Sequence, residues 1–136
     1  MKYLSSIWLA ASLSMAAGAP LASVESPRAF LIEPKDGAVV ISPFTVKFGL
    51  QRMALKPAGD PTPNSGHHHL IIDGTPVPKG EVIGSSETSR HFGKAQTETQ
   101  LTLPPGKHKL TLQFGDGGHV SYGPDLSSTI TVDVKP

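Results

Sequence analysis

Phe44, Val46, Phe48 and Leu50 alternate with Thr45, Lys47 and Gly49, directly after Pro43. A period of two puts every apolar side chain on one face of an extended strand; on a helix the same residues would scatter around the axis. The pattern recurs in short runs that glycine and proline cut off. Phe30 to Glu33 stops at Pro34-Lys35-Asp36-Gly37, and Ala38 to Ile41 is ended by Pro43. Residues 51–66 read as a long loop. His67 to Asp73 runs into Asp73-Gly74, a hairpin-type dipeptide. Glu81 to Ile83 is a short further candidate. Gln96 to Leu103 meets Pro104-Pro105-Gly106, Lys109 to Phe114 meets the loop from Gly115 to Pro124, and Thr129 to Val134 closes the series. The expected fold is all-β: a single antiparallel immunoglobulin-like β-sandwich of about seven strands. The cysteine and tryptophan hallmarks of antibody domains are missing, since the chain has no cysteine and Trp8 lies upstream of the strands.

The upstream segment reads differently. Met1-Lys2, an apolar stretch from Leu4 to Ala17 broken only by serines, and the small-residue end Gly18-Ala19-Pro20-Leu21-Ala22-Ser23 follow the order of a secretory signal peptide. Residues 1–22 are therefore expected to be a signal peptide, cut somewhere in 19–23, with residues 23–136 forming the domain. The stretch is short for a membrane span, no second one follows, and there is no cysteine to carry a lipid. A periplasmic or secreted destination is expected. A secreted domain without disulfides must be held by an ordinary core, a bound ligand, or both.

Composition removes several kinds of function. Lysine and arginine number 12 against 11 acidic residues, and Lys2 leaves with the leader, so the domain is close to neutral. With no basic stripe and interleaved aromatics, nucleic acid is not an expected partner. The lack of cysteine excludes thiolate metal sites and cysteine catalysis, and Met53 is the only methionine beyond the leader, which excludes a methionine-rich cuprous site. No serine sits in a G-x-S-x-G elbow. The acids are scattered singly rather than paired as in glycosidases. No glycine loop leads into a helix to cradle phosphate. Arg90, His91 and Lys94 could form a small anion site, but a solvated loop explains them more simply. No catalytic constellation can be assembled.

What remains is histidine. All six histidines fall between residues 67 and 119, and three are consecutive in GHHHLIID, residues 66–73. Successive side chains of a strand point to opposite faces, so His67 and His69 share one face about 6–7 Å apart, a spacing that suits two ligands of one metal ion. His68 points the other way, in phase with Leu70 and Ile72, and reads as a packed residue. His108 is in phase with Leu110, Leu112 and Phe114 and reads as structural, satisfied by a backbone carbonyl. His91, in SRHFGKAQTE, and His119, in FGDGGHVSYGP, stand at strand–loop junctions and are the candidate third and fourth ligands. Asp116 is a further candidate, as a ligand or as an acceptor fixing an imidazole tautomer. Tyr122 and Asp125 are weaker ones.

The segments GHHHLIID, RHFGKAQTET and LTLPPGKHKLTLQFGDGGHVSYGP, together with the opening FLIEPKDGAVVISPFTVKFGL, resemble the small secreted bacterial proteins grouped as domain-of-unknown-function family 4399. The resemblance implies no activity, because that family has none assigned. It does tie His67, His68, His69, His91, His108 and His119 to recurrent motifs. Many similar proteins carry another histidine where this chain has Tyr122, which implies a site one imidazole poorer, with Asp116 or water completing it.

The expectation is therefore a periplasmic or secreted β-sandwich that binds a transition metal, copper or zinc, through His67, His69, His91 and His119, with Asp116 in support. Buffering, delivery or sensing of the metal would be its role, with an envelope protein as a candidate partner. The alternative is an immunoglobulin-like accessory or adhesion module that binds a protein or glycan, with histidines that only hold loops together. Convergence of the four imidazoles separates the two.

Overall fold

The computed structural model describes residues 10–136. The first part of the expected signal peptide, residues 1–9, lies outside the described residues. Residues 10–27 are exposed and carry no regular secondary structure. From there the regular structure is almost entirely strand: β1 (Arg28–Glu33), β2 (Val39–Ile41), β3 (Phe44–Gln51), β4 (Ala54–Leu55), β5 (Ser65–Ile72), β6 (Ser89–His91), β7 (Glu98–Leu101), β8 (Gly106–Gly115) and β9 (Ser127–Lys135). A single turn of 3-10 helix, Pro124–Leu126, precedes β9. Among the described residues, no helix is long and apolar enough to cross a membrane.

The strands form two sheets. β1, β3 and β7 make a three-stranded antiparallel sheet in that order. The second sheet runs β2-β9-β8-β5-β4, with β6 also paired to β5. It is mixed, which corrects the all-antiparallel expectation: β2 lies parallel to β9 and β4 parallel to β5. Nine strands replace about seven because β4 and β6 are too short to show a period. The Asp73-Gly74 dipeptide does not make a tight hairpin. The chain leaves β5 there, runs through residues 73–88, and returns as β6 beside β5.

One core lies between the sheets. Leu31, Phe44, Val46, Phe48 and Leu101 from the smaller sheet meet Leu70, Ile72, Leu110, Leu112, Phe114, Val132 and Val134 from the larger. Each of these runs is the period-two face read from the sequence. β5 departs from the pattern, because all eight of its residues are buried and both faces are therefore covered. The core covers one face. Loops cover the other: Ile83 N–H donates to the His119 carbonyl and Ser121 N–H to that of Glu81, so residues 81–83 pair with 119–121 over the sheet. Gln113, fully buried on that outer face, accepts from Val77 N–H through Oε1 and donates to the Gly123 carbonyl through Nε2, tying both loops down.

Candidate metal centre

Directly paired residues in a sheet share a face. His67, His69 and Ile71 pair with Gly115, Gln113 and Thr111, opposite the core. β6 then places His91 directly against His69 in the ladder, so its side chain emerges on the same outer face. His119 arrives from the loop after β8. Asp116 organises that loop: its Oδ1 accepts from Gly118 N–H and Val120 N–H, each at 2.9 Å, and its carbonyl accepts from His119 N–H at 2.9 Å. The turn holds His119 at φ 65°, the left-handed region that costs most side chains energy.

The four rings meet. All six pairs of ring centroids among His67, His69, His91 and His119 lie between 4.6 and 5.7 Å. One nitrogen from each can be chosen so that all four lie within 4.8 Å of one another. His67 Nε2 is 3.1 Å from His119 Nδ1 and 3.1 Å from His91 Nε2. A ring nitrogen has one in-plane site, a proton or a lone pair, and cannot serve both neighbours well.

Burial is uneven. His67 and His69 are 0 % and 1 % exposed, while His91 and His119 sit at the rim, partly open to solvent. Burial pushes His67 down to about 4, helped by the charges His91 and His119 would carry and opposed by nearby Asp116. Burial also pushes His69 down to about 3, with the same kind of repulsion from His67, His91 and His119. His91 is lowered by burial and then by His119. These rings are neutral near pH 7 and have lone pairs to give. Both nitrogens of His69 and Nδ1 of His67 are buried without a hydrogen-bond partner among the described residues. Each such group costs about 1–3 kcal/mol when left unmet. Neutral, converging, partly unpaired imidazoles fit a borderline transition-metal cation.

A family model described as a domain of unknown function, DUF4399, matches residues 46–135, well over half of the chain and all six histidines. The chain belongs to this family. No curated protein and no solved structure matches it significantly.

The other histidines of this DUF4399 domain are held differently. His68, 1 % exposed, packs on the core side against Phe48 and Phe114, with ring centroids 5.2 Å from each. Burial, then His67, lowers it to about 4. His108 lies on the core-side phase near the end of the sheet. Its Nδ1 is 2.7 Å from Asp73 Oδ2 and its Nε2 is 2.8 Å from the Pro104 carbonyl. Two acceptors ask for two N–H groups, and the bond from Asp73 accordingly raises the His108 pKa.

Three further candidates have their own places. Asp116 is not one of the four converging groups, and its Oδ1 is occupied by the turn. Tyr122 OH donates to the Ser65 carbonyl at 2.7 Å while its ring stacks on Phe114. The four histidines therefore meet without a histidine at that position. Asp125 lies in the 3-10 turn, outside the converging group.

Sequence reading missed the glycines that make room. A Cβ on Gly93 would stand 2.7 Å from His91 Nε2, so the ring folds back over its own chain only because Gly93 has no side chain. A Cβ on Gly115 would sit 3.2 Å from His69 Cε1 and 2.8 Å from Ile83 Cδ1. The glycine two residues after His91 in HFGK was the available signal, but its meaning depends on which way the ring turns. A shallow cleft of about 320 Å³, bordered by Asp60, Thr62, Asp116 and Tyr122, lies against the same loop, and none of the four histidines lines it.

Proposed function

We propose that this chain is exported to the periplasm or beyond and binds one transition-metal ion, copper or zinc, through His67, His69, His91 and His119. The observation that carries this reading is the mutual convergence of four imidazoles on the outer face of β5. Four protein ligands would close the first coordination shell, as in structural and carrier sites rather than hydrolytic ones. Buffering, delivery or sensing of the metal in the envelope fits such a site better than catalysis. The accessory-module alternative wants histidines spread over loops and faces, which four rings within 5.7 Å of one another disfavour. Asp116 is assigned a supporting part, holding the loop of His119 and lending negative charge near His67.

We further read the fold as immunoglobulin-like. The order β1-β3-β7 against β9-β8-β5 follows the A-B-E and G-F-C arrangement of that sandwich. The apolar leader before the strands supports export.

Calorimetry of the tag-free protein at pH 7.5 tests the binding. One ion of Zn(II) or Cu(II) per chain is expected, and changing His67 and His69 together to Ala should abolish it. Absence of uptake, or binding unchanged in the double variant, would sink the reading.

A further inference from the structure

The spacing of the rings carries more than the fact of a site. An imidazole bound at about 2.0–2.1 Å puts its ring centroid about 3.2 Å from the ion. Four such rings in a tetrahedron stand about 5.2 Å apart in all six pairs; in a square plane four pairs shrink to about 4.5 Å and two diagonals stretch to about 6.4 Å. The six observed separations are 4.6, 4.7, 4.8, 5.0, 5.3 and 5.7 Å. Three lie nearer the edge of a square and three nearer the tetrahedral value, but none reaches the square's diagonal, which two pairs would have to do.

The diagonals of a square must also be two pairs that share no ring. Of the three such couples, His67–His119 at 5.0 Å with His69–His91 at 5.3 Å is the one whose shorter member is longest, and His67–His69 with His91–His119 is shorter still at 4.7 and 4.6 Å. Both are more than about 1 Å short of planar geometry. The couple that contains the longest separation, His69–His119 at 5.7 Å, leaves His67–His91 at 4.8 Å. The two nitrogen contacts at 3.1 Å lie between the edge lengths of the two geometries, and the four nitrogens together span up to 4.8 Å and must draw in around an ion, so the ring spacing is the guide.

The surroundings hold this shape. His67 and His69 are fixed by the β5–β8 ladder, and His91 by its pairing with His69. The His91 ring is backed by Gly93, and the His69 ring by Gly115. His119 is held at both ends, by Asp116 and by Ile83 N–H at 2.8 Å.

Raw affinity for nitrogen ligands favours Cu(II) over Zn(II), but Cu(II) gains much of that from tetragonal geometry. Zn(II), with a filled d shell, has no such preference and accepts a tetrahedron. Cu(I) also accepts one, yet it is drawn to thiolate and thioether sulfur, and the domain offers no cysteine and only Met53.

Resting on the metal-binding reading above, we propose that the site is built for Zn(II), held tetrahedrally by four imidazoles, and that its shape discriminates against Cu(II). Co(II) is the probe, because its visible bands are intense in four-coordinate tetrahedral sites and weak in six-coordinate ones. Mass spectrometry under native conditions counts the ions bound. The expected result is one Co(II) per chain with intense bands, lost on adding one equivalent of Zn(II). Cu(II) forced into the site should show a smaller parallel hyperfine splitting in electron paramagnetic resonance than tetragonal four-imidazole copper.

One ion bound with a six-coordinate cobalt spectrum, or copper with the ordinary tetragonal splitting, overturns the tetrahedral assignment and leaves metal binding standing. No ion bound overturns both. His91→Ala removes a ligand at the rim, where loss of fold is least expected, and circular dichroism checks the fold. It should abolish the intense cobalt bands, and bands unchanged in a folded variant would overturn the assignment of this site.

Discussion

The histidine cluster on the outer face of β5 and the His108–Asp73 pair at the end of the same sheet use one residue type in opposite ways. At His108 both ring nitrogens face acceptors, and the ring is held toward its protonated form. In the cluster the nitrogens face one another, burial removes the proton, and several nitrogens have no partner. His108 is satisfied by the fold, whereas His68, packed in the core, keeps one buried nitrogen without a partner among the described residues, so an unmet nitrogen alone does not mark a ligand. A group of histidines that the fold leaves unsatisfied, at a cost in stability, is the better candidate for a ligand site.

Acid should separate the two most strongly. The folded-state values of His67 and His69 lie below the ordinary 6.5, at about 4 and about 3. The unfolded chain therefore takes up protons first. Stability should be full above pH 6.5 and fall as pH drops toward 4, by on the order of a few kcal/mol in all. Denaturant melts of the metal-free protein across this window check it. Replacing His67 and His69 by Ala should reduce the slope to what the buried His68 supplies, and an unchanged slope would show that the cluster does not titrate this way.

Gly93→Ala sharpens the comparison without touching a ligand. The added methyl should tilt the His91 ring away and weaken zinc binding by roughly 10–100-fold, the range seen when a ligand loses its orientation. His108 is remote from this contact, so His108→Gln should leave affinity unchanged. Competition with a chromophoric chelator reads both.

A smaller effect concerns the backbone at His119, held at φ 65°. His119→Gly and His119→Ala both remove the imidazole, but only glycine relieves the left-handed strain. The glycine variant should be the more stable by about 1 kcal/mol in the metal-free protein. Equal thermal midpoints would mean that the loop relaxes around alanine.

The smallest effect belongs to the His108–Asp73 pair. His108 is raised, so its contribution is full below pH 6.5 and lost as pH rises through its folded-state value. Asp73 is lowered by the His108 and Lys109 bonds against a desolvation that works the other way, so its part is lost only in acid, as pH falls through its folded-state value. Half of the Asp73 side chain is exposed, and screening should keep the pair below about 1 kcal/mol. His108→Gln should therefore destabilise the protein at pH 6 more than at pH 9.

Much of this molecule was legible in its residues. Alternation in FTVKFGL and KLTLQF named the core faces, because a strand reports its burial locally through side-chain phase. The same phase separated His68 from His67 and His69, and placed His108 in a structural role. The motifs around the histidines marked the family. Alternation could not report β6 or β4, which are too short to show a period, nor the parallel pairing of β2 with β9. It also said nothing of the loops that bury the outer face of β5.

The site divides along the same line. Sequence by itself determined that His67 and His69 share a face, since two residues of one strand are related by local geometry alone. Only the tertiary structure decided that His91 joins them, through a strand pair that closes across residues 73–88. Only it decided that Asp116 shapes a turn, that Gly93 and Gly115 leave room for rings, and that four imidazoles separated by up to 52 residues meet. Those are relations between distant parts of the chain, fixed by packing and sheet register, and no local period encodes them.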